Sequence, residues 1–292
     1  MPAPASVLVA GSGVMGAGIA AAFLRSGARV QVLSRSPGQI AARIPGATGT
    51  DRLPDETPDL VIETVPEKLD LKVRLYAEVE ARYAGRTILA TNTSGLPLDE
   101  LAAGLVHKRR FLGLHYFMPA DVMPLVEVIR TADTDDDAVE TAISGVRACG
   151  QDVVVLNRPV EGFLINRLQH AILHEAYYLI ENGFCSAEDV DRAARAFGSR
   201  MCITGLIEQK DLSGIDTHAL AQRAIVPHLH HSAEPARLVQ DMYARGDLGV
   251  KSGKGFYDWS TRDPKARQAQ ARQHLAELLA LLDRQQRDAG KT

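Results

Sequence analysis

Ser6-Val-Leu-Val-Ala10-Gly11-Ser-Gly13-Val14-Met15-Gly16-Ala-Gly-Ile-Ala20 is the stretch on which the fold turns. A short apolar run ends in a glycine turn, and an alanine-rich segment of helical character follows at once. A G-x-G-x-x-G pattern alone is a weak signal. Set between a strand and a helix, it describes the phosphate-holding turn of a dinucleotide-binding α/β unit. Gly11 permits the tight turn, Gly13 lets the backbone approach a pyrophosphate, and Gly16 lets helix pack close to strand. At Val14 and Met15 the helix N-terminus then offers free N–H groups and the positive end of its dipole to the phosphates.

Further along, short apolar runs alternate with helical patterns. Arg29–Leu33 reads as the second strand, 59–62 and 87–90 as two more, and 68–83 as the helix between them. Phe111–His115 and 125–129 form a later pair, followed by a helix over 139–149 and a last strand, Asp152–Leu156. This alternation predicts a parallel-sheet Rossmann domain over residues 1–157. After Asn157-Arg158-Pro159 the periodicity is helical, over 163–182, 187–197, 217–231, 235–245 and 264–287. The fold class is therefore α/β, an N-terminal Rossmann domain with a C-terminal all-α domain over 158–292.

The chain has 292 residues, 46% of them hydrophobic and 24% charged, enough for two domains with cores of their own. A net charge of -3 gives no electrostatic reason to expect nucleic acid or an anionic membrane as partner. No apolar run is long enough to cross a bilayer. Met1-Pro-Ala-Pro-Ala-Ser has no basic segment, so no secretory signal is expected. Cys149, Cys185 and Cys202 are odd in number and widely spaced, which offers neither a disulfide framework nor a C-x-x-C metal site. Each is expected as a small buried hydrophobe in a reducing cytoplasm. His228, His230 and His231 have no carboxylate or cysteine at ligand spacing, so they read as a solvated face, and no metal site is expected.

The end of the second strand reports which nicotinamide cofactor fits. An acidic residue there would accept from the adenine ribose hydroxyls and favour NAD. This chain has Ser34-Arg35 instead. Ser34 takes the acidic position without charge, and Arg35 can pair with a 2′-phosphate. NADP(H) is the expected cofactor, with NAD the other possibility.

A second constellation is Gly113-Leu-His115-Tyr-Phe-Met-Pro119 followed by Met123-Pro-Leu-Val-Glu127. If these two runs pair, Glu127 can lie beside His115. A carboxylate next to an imidazole sets its tautomer and raises its basicity, which suits general acid–base work. On the residues alone, a surface pair is equally open.

The segments VAGSGVMGAGIA, ETVPEKLDLK, TNTSGLPLDELA, RFLGLHYFMPADVMPLVEVI, GFLINRL, IEQKDLSGIDT and KSGKGFYDW occur here in an order that resembles the 3-hydroxyacyl-CoA dehydrogenase family along nearly the whole chain. The resemblance implies roles. His115 would be the general base for hydroxyl oxidation, or the acid for carbonyl reduction, with Glu127 holding its ring. Ser94 and Asn166 match the family residues that hydrogen-bond the reacting oxygen and the histidine. Glu67, Lys72 and Asn92 match positions near the cofactor. The helical domain would close the cleft and form a homodimer.

Three departures qualify that inheritance. Met118 stands where the family has Asn before the proline. Ser34-Arg35 replaces the usual acid, so the family's NAD preference is not carried over. The family's helical arm over CoA would have to lie within 34–58, but that stretch holds Pro37, Pro45, Pro54, Pro58, Gly38, Gly46 and Gly49, too many breakers for a helical hairpin. The expected substrate is then a smaller hydroxy or oxo acid, or an acyl group on a carrier protein. Two alternatives stay open. One is a β-hydroxyacid-type dehydrogenase or an imine or ketone reductase, although the helix from Gly162 lacks the lysine of the β-hydroxyacid type. The other is a cofactor-binding structural homologue without catalysis.

Overall fold

A computed structural model of the chain describes residues 1–289; residues 290–292, the end of the expected second domain, lie outside the described residues. The first part of the chain builds β1 (Ser6–Ala10), α1 (Val14–Arg25), β2 (Arg29–Leu33), α2 (Ile40–Arg43), β3 (Thr48–Thr50), β4 (Leu60–Glu63), α3 (Leu69–Tyr83), β5 (Ile88–Thr91), α4 (Leu98–Ala102), β6 (Phe111–His115), β7 (Leu125–Arg130), α5 (Asp136–Ala148) and β8 (Asp152–Leu156). Helices follow: α6 (Ile165–Glu181), α7 (Ala187–Thr204), α8 (Glu208–Ser213), α9 (Ile215–Ile225), α10 (Arg237–Ala244) and α11 (Pro264–Ala289).

The strands form one eight-stranded sheet in the order β3-β2-β1-β4-β5-β6-β7-β8. Neighbours pair in parallel except β6 and β7, which run antiparallel. Alternation along β1 explains why the sheet is covered on both faces. Val7 and Val9 enter one core with Ile19, Phe23 and Val146, while Leu8 and Ala10 enter the other with Tyr76, Val79 and Leu101. Successive side chains on a strand point to opposite faces, so α1 and α5 cover one side and α3 and α4 the other. Burial on both faces is also why these strands read as continuous apolar runs.

The strand order reverses direction at β1 and β4, which puts the crevice of such a sheet at their carboxyl ends. Gly11, Glu63, Asn92 and His115 all fall at or just beyond the carboxyl ends of parallel strands β1, β4, β5 and β6. Between β2 and β4 the chain makes only a 3-10 turn, the four-residue α2 and the short edge strand β3. No helical arm is built there, as the proline and glycine content requires.

By contact, the chain divides into two compact units, Met1–Arg167 and Leu168–Thr292. Residues 158–167 stay with the first unit. In the second unit α9 stops at Ile225 rather than running on to 231, because Pro227 has no N–H to donate and the chain tightens into a 3-10 turn over Val226–His228. His230 is no solvated residue: its ring lies flat on Tyr178, centroids 4.5 Å apart, beside His174. Among the described residues no helix is long and apolar enough to cross a membrane.

The cysteines differ from the expectation as well. All three are free, but only Cys149 is buried, Cys185 is half-buried and Cys202 is exposed. Burial pushes the Cys149 thiol up to about 11. At pH 8, a disulfide-exchange reagent is therefore expected to modify Cys202 first and leave Cys149 untouched until the chain unfolds, a pattern that peptide mass mapping reads directly.

Candidate active site

The glycine turn follows β1 with its backbone fixed from both sides. Gly11 N–H donates to the Leu33 carbonyl at 3.0 Å, and Thr64 Oγ1 donates to the carbonyls of Ala10 and Gly11. Gly11 has φ +124, and a Cβ there would lie 2.6 Å from Thr64 Oγ1. At Gly16 a Cβ would lie 2.1 Å from the Gly11 carbonyl oxygen, so α1 could not approach the turn. At Gly13 a Cβ would meet nothing within 4 Å. The turn is closed toward the protein and open outward. The N-terminus of α1 has no side-chain cap, and Val14 is 73% exposed. Uncapped N–H groups facing open space are what a dinucleotide pyrophosphate requires, so the residues present fit a nicotinamide cofactor.

Beside the turn, the Ser12 and Ser34 hydroxyls lie 2.9 Å apart, and Ser34 Oγ accepts from Ser36 N–H. Arg35 is exposed and pairs with no carboxylate among the described residues. A second cation arrives that the sequence reading missed: Arg43, at the end of α2, donates to the Ser12 carbonyl at 2.9 Å. Its signal was a basic residue closing a short helix directly after β2, hidden inside a segment rich in breakers.

The chemistry gathers at the ends of β5, β6 and β7. In the antiparallel pairing His115 stands directly opposite Glu127. Glu127 Oε2 accepts from His115 Nδ1 at 2.6 Å, and His115 Nε2 lies 3.2 Å from Ser94 Oγ. Glu127 is fully buried, so its carboxylate requires hydrogen-bond partners, and it holds the proton on Nδ1. That leaves the Nε2 lone pair to accept from the Ser94 hydroxyl. The imidazole is held on its faces too: Phe117 meets it edge-on at 4.5 Å and Phe163 lies 5.2 Å away. Phe163 takes φ +52, a left-handed conformation costing about 1–3 kcal/mol that the surroundings must offset.

Glu127 has a second task. Its Oε1 accepts from the N–H groups of Leu164 and Ile165 at 2.9 and 2.8 Å. These are unsatisfied donors at the start of α6, so one carboxylate ties the imidazole to that helix. Residues 158–167 belong to the first unit for this reason. Asn166 follows immediately in the first turn, half-buried, and its side chain makes no hydrogen bond among the described residues. The structure thus joins Ser94, His115 and Glu127 directly and fixes Asn166 next to the anchor. Asn92 supports the group from behind, its Oδ1 accepting from Tyr116 N–H at 2.9 Å.

Glu67 and Lys72 sit differently from each other. Glu67 is partly exposed and its Oε1 accepts from Ser94 N–H at 3.0 Å, from Gly95 N–H at 3.1 Å and from the Thr93 hydroxyl. Burial alone would raise its carboxyl, but the Thr93 hydroxyl, the Lys72 ammonium and the Gly95 N–H outweigh that and hold it below the ordinary value. Lys72 is 1% exposed, its ammonium engaged by Glu63 at 2.7 Å and Glu67 at 3.2 Å. Glu63, also missed from sequence, is 0% exposed at the end of β4. Among the described residues no three His, Cys, Asp or Glu cluster as a metal site.

The sequence model described as 3-hydroxyacyl-CoA dehydrogenase, NAD binding domain, matches residues 6–47 and 34–159, and that of the 3-hydroxyacyl-CoA dehydrogenase C-terminal domain matches 162–259. The chain is 28% identical over 303 residues to the 5-formyl-3-hydroxy-2-methylpyridine 4-carboxylate 5-dehydrogenase of Mesorhizobium japonicum, covering 95% of this chain and 98% of that protein. A probable 3-hydroxyacyl-CoA dehydrogenase of Caenorhabditis elegans is 37% identical over 204 residues, 69% of this chain and 67% of that one. Among solved structures, a 5-formyl-3-hydroxy-2-methylpyridine 4-carboxylic acid 5-dehydrogenase described as an NAD+-dependent dismutase superposes with a TM-score of 0.89 at 27% identity, covering 97% of this chain and 99% of that chain. The 3-hydroxyacyl-CoA dehydrogenase of Archaeoglobus fulgidus gives 0.70 at 33% identity, covering 95% and 99%.

Proposed function

Because the chain belongs to the 3-hydroxyacyl-CoA dehydrogenase family, we propose that it is a nicotinamide-dependent oxidoreductase interconverting a hydroxyl and its carbonyl on a compact acid, with His115 as the general acid–base. The observation that carries this reading is the Ser94–His115–Glu127 relay at the strand ends that also bear the glycine turn. Gly11, Gly13, Val14, Met15 and Gly16 would hold the pyrophosphate, Ser34 and Arg35 the adenine ribose, and Asn92 and Glu67 would border the nicotinamide side. When bound, the nicotinamide supplies or accepts hydride.

His115 carries the proton in both directions. In oxidation, His115 Nε2 takes the substrate hydroxyl proton, and the Glu127 carboxylate stabilises the imidazolium that results. In reduction the same nitrogen returns it. Ser94 Oγ and the Asn166 amide orient the reacting oxygen and donate to the charge that develops there.

The substrate is not recognised through CoA, since the segment that would form an arm over it is a turn, a four-residue helix and an edge strand. A relative named for a formylpyridine carboxylate supports a small carboxylate substrate. The cofactor is NADP(H), since no carboxylate follows β2 and Arg35 and Arg43 flank Ser12 and Ser34. We further propose a cytoplasmic homodimer, supported by free thiols and by Phe184, Ile203, Ile207, Leu212 and Leu220, each at least 66% exposed in the second unit.

Steady-state rates with NADPH and NADH on 2- and 3-oxo acids, aromatic formyl carboxylates and acetoacetyl-CoA test the substrate and cofactor proposals. We expect kcat/KM to favour NADPH by about tenfold, and Arg35→Ala to erase that margin, the worth of a charge-assisted phosphate contact. Free acids are expected to match or exceed the CoA ester. A strong preference for acetoacetyl-CoA defeats the substrate proposal, and NADH preference in the parent enzyme defeats the cofactor proposal.

A further inference from the structure

A buried charge cluster lies behind the reacting turn. Glu63 Oε1 accepts from Lys72 Nζ at 2.7 Å and from Val65 N–H at 2.7 Å. Its Oε2 accepts from Lys72 Nζ at 2.9 Å, the Tyr76 hydroxyl at 2.7 Å and the Thr91 hydroxyl at 2.8 Å. Both charges are removed from water, with side chains 0% and 1% exposed. Desolvating two ions is costly, and such a pair persists only with excellent geometry and full hydrogen bonding, which Glu63 has. Burial first, and then the Glu63 charge, push the Tyr76 phenol far above its ordinary range, so it remains a donor.

The cluster continues outward. Lys72 reaches Glu67 Oε2 at 3.2 Å, and Glu67 Oε1 takes both N–H groups of the turn at Ser94 and Gly95. Ser94 Oγ then meets His115 Nε2. We infer that Glu63 and Lys72 are positioning residues: through Glu67 they fix the Ser94 turn against the imidazole. Two observations agree: the ammonium is held between Glu63 and Glu67, and its contact with Glu67 Oε2 leaves Oε1 to take the Thr93, Ser94 and Gly95 donors. The inference rests on Ser94 serving the reacting site as proposed above.

The double substitution Glu63→Gln with Lys72→Met tests it, since removing both charges together leaves no orphaned buried ion. Hydrogen exchange on the cofactor-free protein reads the turn without any substrate, and NADPH fluorescence titration reads cofactor binding. We expect exchange at the Ser94 and Gly95 amides to rise about tenfold or more while β1 stays protected, with NADPH affinity within about threefold of the parent. On the best substrate of the panel kcat should fall while the KM for NADPH holds. Unchanged exchange at Ser94 and Gly95 overturns the inference, and so does a tenfold loss of NADPH affinity without a change in exchange. If the double variant fails to fold, Tyr76→Phe decides, since it removes one donor to Glu63 and keeps both charges. It should raise Ser94 exchange about threefold, and no rise would be equally fatal. Were Ser94 outside the reacting site, exchange would still rise while kcat stayed level, which separates that failure from this one.

Discussion

His115→Asn is expected to lower kcat by roughly 10²–10⁴-fold, the range of a positioned acid–base group, while NADPH binds within about threefold of the parent. Asparagine is the informative substitution. Its amide N–H can replace Nδ1–H as donor to Glu127, so the buried carboxylate keeps a partner, but it has no lone pair that takes a proton at neutral pH. Alanine would instead leave a space between Phe117 and Phe163 and strip Glu127 of a hydrogen bond, confusing stability with chemistry. The measurement is kcat on the best substrate alongside NADPH affinity and thermal midpoint. A variant retaining more than a tenth of the parent rate would remove the imidazole from the mechanism.

Glu127 carries the second large effect, and its two variants should fail differently. Glu127→Gln keeps an oxygen for the Leu164 and Ile165 N–H groups, but an amide nitrogen turned to His115 would donate to Nδ1 and move the ring proton to Nε2. The base would then point its lone pair the wrong way. We expect kcat to fall roughly 10²–10⁴-fold with little loss of stability, as when a carboxylate that orients a catalytic histidine becomes an amide. Glu127→Ala leaves the buried His115 Nδ1–H and the part-buried N–H groups of Leu164 and Ile165 without a partner, at up to about 1–3 kcal/mol each, so the thermal midpoint should drop as well. Equal stability in the two variants would show that Glu127 does not anchor the start of α6.

How far the sequence carried these conclusions depends on what each feature requires. The glycine turn was legible because its constraints are local: positive φ at Gly11 and close approach at Gly16 demand glycine within a few residues of a strand. The sheet was legible because burial on both faces leaves an apolar run. The His115–Glu127 contact was legible only as a condition, since it depends on the register of two strands across a long connection, and pairing at the next residue would have turned Glu127 to the opposite face. Glu63 was invisible for a different reason. It ends an ordinary apolar strand, and its partners Lys72, Tyr76 and Thr91 meet it only after α3 and β5 have packed. Arg43 was missed because proline and glycine in 34–58 rightly exclude a helical arm but also conceal a four-residue helix. The expectation for Cys202 failed because cysteine composition says how often the residue is buried, not which face of α7 it occupies.

The proposed chemistry requires a Glu127-steadied imidazole to face a nicotinamide held at the Gly11–Gly16 turn. A crystal structure of the complex with NADP+ tests it most directly. Expected there are the adenosine 2′-phosphate against Arg35, the pyrophosphate over Gly13 and the N-terminus of α1, and the nicotinamide on the Nε2 side of His115 with room for one small substrate between them. A nicotinamide bound away from the Ser94 turn, with His115 Nε2 facing only protein, would contradict it.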